Sequence, residues 1–351
     1  MILDSVQQYI TNRLPEIKES TVCGIIGGKP SQSARSPAVW NYVFQQQGMD
    51  AIFLPFDVDS QKNLEQLAKV LRESDFVKCV SVTVPYKETV MKYLDSIDEK
   101  AKNIGAVNFI HRPNDGELVG YNTDGLGGLK SLLEPSPGQT EPFVDTLEGK
   151  TVLLIGAGGA AKALAHYIGT ELGEDGQLRI KNRNSGKAIK LAQEISQNYG
   201  VFADGSDESI GPPAHLRTID LVVNATMKGQ AGIVKAGERF TCLEPYSALY
   251  SANPATMKVF SYAEWFDKSQ EDVVENNRVS ARTAGLLPKK TMFFDAVHTP
   301  IETVMLKHAR WSEHKTLNGK GMNVCQAAAA FKMAFPGADY KKVLELMYSA
   351  P

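Results

Sequence analysis

The chain is predicted to be α/β, with two domains, the second of the Rossmann dinucleotide-binding type. Three observations carry that prediction. An apolar run, Thr151 to Ile155, passes directly into Gly156-Ala157-Gly158-Gly159-Ala160-Ala161 and then into a helix-forming stretch. Between Val22 and Val84, short apolar runs alternate with segments of helical periodicity, which predicts a parallel-rich sheet. Pro135, Pro137, Gly138 and Pro142 separate the two regions, and 351 residues suffice for two domains.

The glycine segment is strand, tight turn, helix. In the pattern GxGxxA, Gly156 allows the turn, Gly158 allows close backbone approach to a pyrophosphate, and Ala161 allows the helix to lie close on the strand. Gly159 and Ala160 open the helix, whose free N–H groups and positive dipole end face the phosphates. A second apolar strand, Leu178 to Ile180, follows at the βαβ distance and ends in Lys181-Asn182-Arg183-Asn184, with Lys187 close behind. A carboxylate at that tip would hold the ribose of NAD, whereas this tip offers amides and cations. The expected cofactor is therefore NADP, with NAD possible.

Along the N-terminal region, Leu3, Val6, Ile10 and Leu14 predict a first helix. Val22 to Ile26 is a strand, and Ser36 with Pro37 reads as N-cap and N1 of the helix that carries Val39, Trp40, Val43 and Phe44. Ala51 to Pro55 is a strand, Leu64, Leu67, Val70 and Leu71 mark one face of a helix, and Phe76 to Val84 is a third strand stopped by Pro85. Lys87, at a predicted helix start, thus lies at the carboxyl end of a strand, the edge where open α/β sheets bind ligands. Ala106 to Ile110 and Leu118 to Tyr121 form two strands joined by Pro113-Asn114-Asp115-Gly116. Asn122-Thr123-Asp124-Gly125 opens a helix through Leu133.

The stretch to Gly149 reads as a stiff surface linker. Beyond it, Ala188, Leu191, Ala192 and Ile195 face inward on a helix. Asp220 to Val223 is a strand with Asn224-Ala225-Thr226 at its ligand edge, and Met292 to Val297 is the last strand. From Gly229 to Lys290 periodicity is poor; the stretch holds Trp265 and an acidic helix-like run, and it is placed only as an excursion of the second domain. Met322 to Phe335 and the segment with Val343, Leu344, Leu346 and Met347 predict two closing helices.

Composition narrows the function. A net charge of −2, without a basic block, gives no electrostatic support for nucleic acid or acidic membrane surfaces, so the expected partner is a small molecule. Cys23, Cys79, Cys242 and Cys325 stand singly, which fits reduced thiols and a cytoplasmic protein better than a metal site or a disulfide framework. The absence of an 18-residue apolar run predicts a chain that is neither secreted nor membrane-spanning.

Eight blocks in order resemble the shikimate dehydrogenase family, including its quinate/shikimate branch. They are Gly28 to Pro37, Val82 to Lys87, Ile104 to Asn108, Gly120 to Gly125, Gly156 to Ala163, Asn182-Arg183, Asn224 to Thr226 and Asn318 to Phe331. The resemblance implies a substrate domain over residues 1–125 completed by helices in 321–351, a connecting helix and linker over 126–149, and an NADP-binding domain over 150–320. The substrate, a cyclic hydroxy acid, would lie between them, in a monomer or homodimer. By the same resemblance Lys87 and Asp124 match the catalytic pair. Ser36, Thr83, Asn108 and Gln326 match substrate-binding positions, and Gly319 and Met322 match positions that line the nicotinamide.

The chemistry agrees. Hydride transfer to a carbonyl carbon requires a proton for its oxygen, and a lysine oriented by a carboxylate can give or take one. Since the carboxylate favours the charged ammonium, oxidation is expected to want higher pH. The chain also departs from the family pattern. Ala34 stands where the first carboxylate-binding serine is usual, His298 where a substrate-contacting tyrosine is usual, Ser81 for asparagine and Phe109 for threonine. These changes admit quinate or another shikimate-like acid as substrate, and His298 in the pocket would make binding pH-sensitive. A ligand-sensing homologue without turnover is the rival from another class. Retention of both Lys87 and Asp124 speaks against it.

Overall fold

The computed structural model describes residues 4–113, 116–208 and 216–351. It separates into two compact units. Unit 1 is Met1–Gly127 with Val324–Pro351, and unit 2 is Gly128–Asn323, so the helix and proline-rich stretch after Asp124 go mainly with unit 2.

Unit 1 is built on a six-stranded sheet of β1 (Thr21–Gly27), β2 (Ala51–Asp57), β3 (Val77–Val82), β4 (Ser96–Ile97), β5 (Phe109–His111) and β6 (Val119–Tyr121). The order is β2-β1-β3-β5-β6-β4. β1 is parallel to β2 and to β3, and β4 to β6, while β5 is antiparallel to both its neighbours. β1 is buried along nearly its whole length, as expected of a central parallel strand covered on both faces. Its side chains alternate between two cores. Val22 and Ile26 join Leu64, Leu67 and Leu71 of helix Gln61–Glu73, whereas Cys23 and Ile25 join Trp40 and Phe44 of helix Ser36–Gln47. The second core is closed by the end of the chain. Phe331 of helix Lys320–Ala334 packs tilted against Trp40 with ring centroids 5.0 Å apart. Val343, Leu344 and Met347 of helix Tyr340–Ser349 complete it.

Unit 2 carries β7 (Thr151–Ile155), β8 (Gln177–Lys181), β9 (Phe202–Ser206), β10 (Leu221–Asn224), a separate antiparallel hairpin of β11 (Ile233–Ala236) and β12 (Arg239–Cys242), then β13 (Met292–Asp295) and β14 (Thr316–Leu317). The main sheet is parallel throughout, in the order β14-β13-β10-β7-β8-β9. Counted from β7, that is the order of a dinucleotide-binding fold, with the switch point between β7 and β10. Helix Gly159–Glu171 buries Ala161, Leu164, Ala165 and Ile168 against β7 and β8, and helix Ser185–Tyr199 buries Ala188, Leu191, Ala192 and Ile195.

Several expectations are corrected. Only Asp4–Gln7 of the predicted first helix is helical, and Leu3 lies outside the described residues. The Asn12 side chain instead pairs with the edge of β2, donating to the carbonyl of Pro55 at 2.9 Å and accepting from the N–H of Asp57 at 2.8 Å, which draws the chain out of helix. Ser36 is the first helical residue rather than the N-cap, and β3 ends at Val82 before a 3₁₀ turn, Thr89–Tyr93, that replaces the expected α-helix. The short strand β4 and helix Glu99–Ile104 were not expected. Asn114 and Asp115 of the predicted turn lie outside the described residues.

The linker runs over the surface through its prolines, residues 134–142, but is not a surface strap to its end, because Phe143, Val144 and Leu147 are buried in the unit 2 core. The excursion contains a 25-residue helix, Tyr262–Leu286, whose buried face holds Ser269, Asn276, Ser280 and Thr283 beside Trp265 and Ala284. Asn276 donates to the carbonyls of Ser247, Tyr250 and Ser251 and accepts from the N–H of Ser247 at 2.8 Å. This helix docks through hydrogen bonds as well as apolar contacts, so it lacks the apolar periodicity that would announce it.

Candidate active site

In unit 1 the reactive side chains gather at the carboxyl edge of β1 and β3. Tyr86 pins the turn after β3 by donating its hydroxyl to the carbonyl of Val58 at 3.0 Å. The carbonyl of Lys87 accepts from the N–H of Val107 at 2.8 Å, tying the lysine to the segment that carries Asn108. Asp124 lies in the first turn of helix Thr123–Leu133, where the helix dipole favours a carboxylate. Lys87 Nζ donates to Asp124 Oδ2 at 2.7 Å. The two side chains are 31% and 23% exposed, so the pair is sheltered yet reachable by a small molecule.

Asn108 holds the other side of the carboxylate. Its Nδ2 donates to Asp124 Oδ1 at 2.8 Å and to Thr123 Oγ1 at 3.0 Å, while its Oδ1 accepts from the N–H of Thr123 at 2.7 Å. Backbone bonds to Val82 and Tyr121 fix the residue itself. The sense of the amide is thereby determined, because its oxygen must face a backbone donor. Gln326, on the returning helix Lys320–Ala334, accepts from Thr123 Oγ1 at 3.2 Å and from Asn108 Nδ2 at 3.5 Å. Lys87, Asp124, Asn108 and Gln326 form one network.

Thr83 is half-buried at the same edge, with its N–H on the carbonyl of Ile26. A Cβ at Gly27 would lie 2.4 Å from the Thr83 methyl, so the strand end approaches this closely only with glycine there. Ser36 is half-buried and gives no side-chain cap to its helix.

In unit 2 the cofactor edge is made mostly of backbone. Gly156 has φ +119°, and a Cβ there would lie 3.0 Å from the Ala225 carbonyl oxygen. Gly158 is the N-cap of helix Gly159–Glu171 without a side-chain cap, and Gly158, Gly159 and Ala160 are exposed while Ala161 is fully buried. The first-turn N–H groups are thus open to an anion. Around them Ala157, Gly158, Asn182, Arg183, Asn184, Ser185 and Lys187 line an open pocket of about 650 Å³ without a carboxylate. Asn184 caps helix Ser185–Tyr199 through the N–H of Lys187, and Asn182 Nδ2 donates to the Asn184 carbonyl at 2.9 Å. The donors, the side-chain-free cradle and the paired cations fit a dinucleotide with a 2′-phosphate.

Asn224 is buried at the end of β10, with Thr226 N and Oγ1 both donating to its Oδ1, at 2.9 and 2.7 Å. Gly319 donates its N–H to the Val297 carbonyl at 3.1 Å. His298 is exposed after β13, and Met322 is packed in the unit 2 core at 9% exposure.

Two residues escaped the sequence reading. Thr123 bridges Asn108 and Gln326, and its signal was adjacency to Asp124. Asp295 is fully buried beneath the cofactor edge, where burial, opposed by hydrogen bonds from Thr303, Val297 and Asn224, pushes its carboxyl up to about 7. Nothing in its sequence context distinguishes it from an ordinary strand-end acid. Among the described residues, no cluster of three or more His, Cys, Asp or Glu is placed to hold a metal ion, and no helix is long and apolar enough to cross a membrane.

The strand order of unit 2 and its carboxylate-free pocket define an α/β protein of the dinucleotide-binding class, with a tip suited to NADP. Comparison with known proteins narrows the class. Residues 26–110 match the model of the shikimate dehydrogenase substrate binding domain. The shikimate dehydrogenase (NADP(+)) of Methanocaldococcus jannaschii is 32% identical over 317 residues, which is 90% of this chain and 91% of the relative. A crystal structure of shikimate dehydrogenase in complex with NADP+ superposes with a TM-score of 0.68 at 28% identity, covering 93% of this chain and 94% of the other. The shikimate 5-dehydrogenase of Listeria monocytogenes, in complex with shikimate and NAD, gives 0.71 at 25% identity, covering 96% and 99%. The chain belongs to the shikimate dehydrogenase family.

Proposed function

We propose that the chain catalyses the reversible, NADP-linked interconversion of shikimate and 3-dehydroshikimate, with Lys87 handling the proton. The Lys87–Asp124 contact of 2.7 Å, locked from behind by Asn108, carries this reading. Bound NADP would supply the hydride chemistry, held by the first turn of helix Gly159–Glu171 and by Asn182, Arg183 and Lys187. In reduction the carbonyl carbon takes the hydride, the C=O π pair moves onto the oxygen, and the Lys87 ammonium gives that oxygen its proton; in oxidation neutral Lys87 takes the hydroxyl proton. Asp124 accepts one Nζ–H and leaves the others to face the substrate oxygen. Asn108 keeps the carboxylate from rotating away. Gln326, Thr83 and Ser36 are assigned to the acid's hydroxyl and carboxylate groups. Four free, buried cysteines support a reducing, cytoplasmic setting.

The test is the NADPH absorbance of the purified protein with 3-dehydroshikimate, and of NADP with shikimate and with quinate. Turnover of shikimate over quinate is expected. Tight ligand binding without any turnover across the panel would return the protein to the sensing class.

A further inference from the structure

Two segments of unit 2 assigned to the cofactor edge, Asn224 to Thr226 and Gly319, and the turn through His298, assigned to the substrate, are tied to one side chain. Asp295 is fully buried at the end of β13, paired in register with Asn224 at the end of β10. Its Oδ1 accepts from Asn224 Nδ2 at 2.8 Å and from the N–H of Val297 at 3.0 Å, and its Oδ2 accepts from Thr303 Oγ1 at 2.6 Å. The first bond, shorter than the one Asn224 Nδ2 also donates to the Lys228 carbonyl at 3.2 Å, sets with it the sense of the Asn224 amide. With its nitrogen on Asp295, its oxygen must face Thr226, where it receives both the N–H and the hydroxyl. A flipped amide would oppose its NH₂ to the Thr226 N–H, a pairing of two donors. Thr226 Oγ1 in turn accepts from the N–H of Lys228 at 3.2 Å, so the turn from Asn224 to Lys228 is closed on itself and tied through Asn224 to the carboxylate.

The second bond holds the turn after β13. There the Val297 carbonyl accepts from Gly319, and the Ala296 carbonyl oxygen lies where a Gly319 Cβ would be only 2.1 Å away. Backbones this close move together, so a displaced Val297 displaces Gly319.

We propose that Asp295 is a positioning residue for the cofactor: it sets the Asn224–Thr226 loop and the Val297–Gly319 contact in the arrangement that receives NADP. This rests on the assignment of unit 2 as the NADP site. Asp295 itself lies beneath the edge and acts through Asn224 and Val297.

The experiment compares the full-length parent, Asp295→Ala and Asp295→Asn by NADPH fluorescence titration, steady-state kinetics and circular dichroism. Asparagine can keep its oxygen on Asn224 and Val297 and turn its NH₂ to Thr303 Oγ1. In folded Asp295→Ala, NADPH binding should weaken about tenfold or more, as expected when a second-layer partner of a binding group is lost. The KM for NADP should rise in step and by several-fold more than the KM for shikimate, and Asp295→Asn should recover NADPH binding to within about threefold of the parent. A purely structural role would lower the melting temperature without separating the two KM values. NADPH affinity within twofold of the parent in folded Asp295→Ala, or no recovery in Asp295→Asn, overturns the proposal. If Asp295→Ala does not fold, Asp295→Ser replaces it, and failure of both to fold assigns Asp295 to the scaffold and likewise overturns it. A parent protein that binds no NADPH refutes the cofactor site itself, and this inference with it.

Discussion

The two units meet their ligand chemistry by opposite means. Unit 1 presents charged and amide side chains, Lys87, Asp124, Asn108 and Gln326, held in one hydrogen-bonded network. Unit 2 presents backbone N–H groups and the absence of side chains at Gly156, Gly158 and Gly159, with its polar network buried beneath the edge. Proton transfer needs a titratable atom at a defined point, which only a side chain provides. Binding a pyrophosphate needs close approach and many modest dipoles, which backbone provides best. Damage in unit 1 should therefore act on turnover, and damage in unit 2 on cofactor affinity.

The largest expected effect tests the first half of that contrast. Lys87→Ala should lower kcat by roughly 10²- to 10⁴-fold while NADPH affinity and melting temperature stay near the parent values. Rates within a few-fold of the parent would remove Lys87 from the proton step.

Asp295 offers a stability test of the buried network in unit 2. Burial raises its carboxyl from 3.8 to about 7. Below pH 4 the group is protonated in both folded and unfolded chains, so it adds no pH dependence. Between about pH 4 and 7 the unfolded chain releases the proton and the folded chain retains it, so stability falls as pH rises. The full loss is on the order of 4 kcal/mol. Asp295→Asn removes the titration, so the stability of the variant relative to the parent should climb over that window in urea denaturation. Parallel profiles would mean that the carboxylate is not held up by burial.

The same contrast explains what could be read from the sequence. The dinucleotide fold was legible because GxGxxA between a strand and a helix follows from sterics and dipoles, and the mixed sheet of unit 1 was largely legible from its apolar runs. Helix Tyr262–Leu286 showed only as an acidic helix-like run without bounds or a face, because Asn276 and Ser280 sit on its buried face and periodicity registers only apolar burial. The end of the linker was misread for the converse reason. Its prolines announced a surface, while Phe143, Val144 and Leu147 are too short a run to show a period. Lys87 and Asp124 could be nominated by position and resemblance. Their pairing needed the fold, since it depends on β3 and β6 bringing the lysine turn and the helix start to one point. Asp295 carried no signal at all, because its role depends on the β10–β13 register.

A smaller effect probes the cofactor's phosphate. Arg183 and Lys187 line the pocket at the tip of β8 with no carboxylate beside them. Arg183→Ala should cost about 1.5–3 kcal/mol in NADP affinity and little in NAD affinity, narrowing the preference between them. Equal losses for both cofactors would place the arginine away from the 2′-phosphate. An unmodified protein that uses NAD at least as efficiently as NADP would undo the assignment altogether.

The smallest expected effect concerns the one site in unit 1 where a side-chain donor is missing. Ala34 stands where the family resemblance implies a carboxylate-binding serine, and Ala34→Ser restores a hydroxyl. A hydrogen bond to a charged acceptor contributes about 1.5–3 kcal/mol. Ala34, however, is half-buried and packs against the core formed by Trp40, Phe44 and Phe331, so the added hydroxyl also loses water. Half-buried, the hydroxyl keeps part of its water in the free protein, and giving that water up to bond the acid offsets part of the gain. The net expectation is a decrease in the KM for shikimate of no more than about fivefold, with kcat unchanged because the Lys87 network is untouched. Arg35 and His298 are the remaining candidates for the acid's carboxylate. If His298 binds it as imidazolium, His298→Tyr should abolish a rise in KM with increasing pH, whereas Ala34→Ser should leave that rise in place. A KM that is the same in the parent and in Ala34→Ser would mean that position 34 faces the core alone and that the carboxylate is held by other groups.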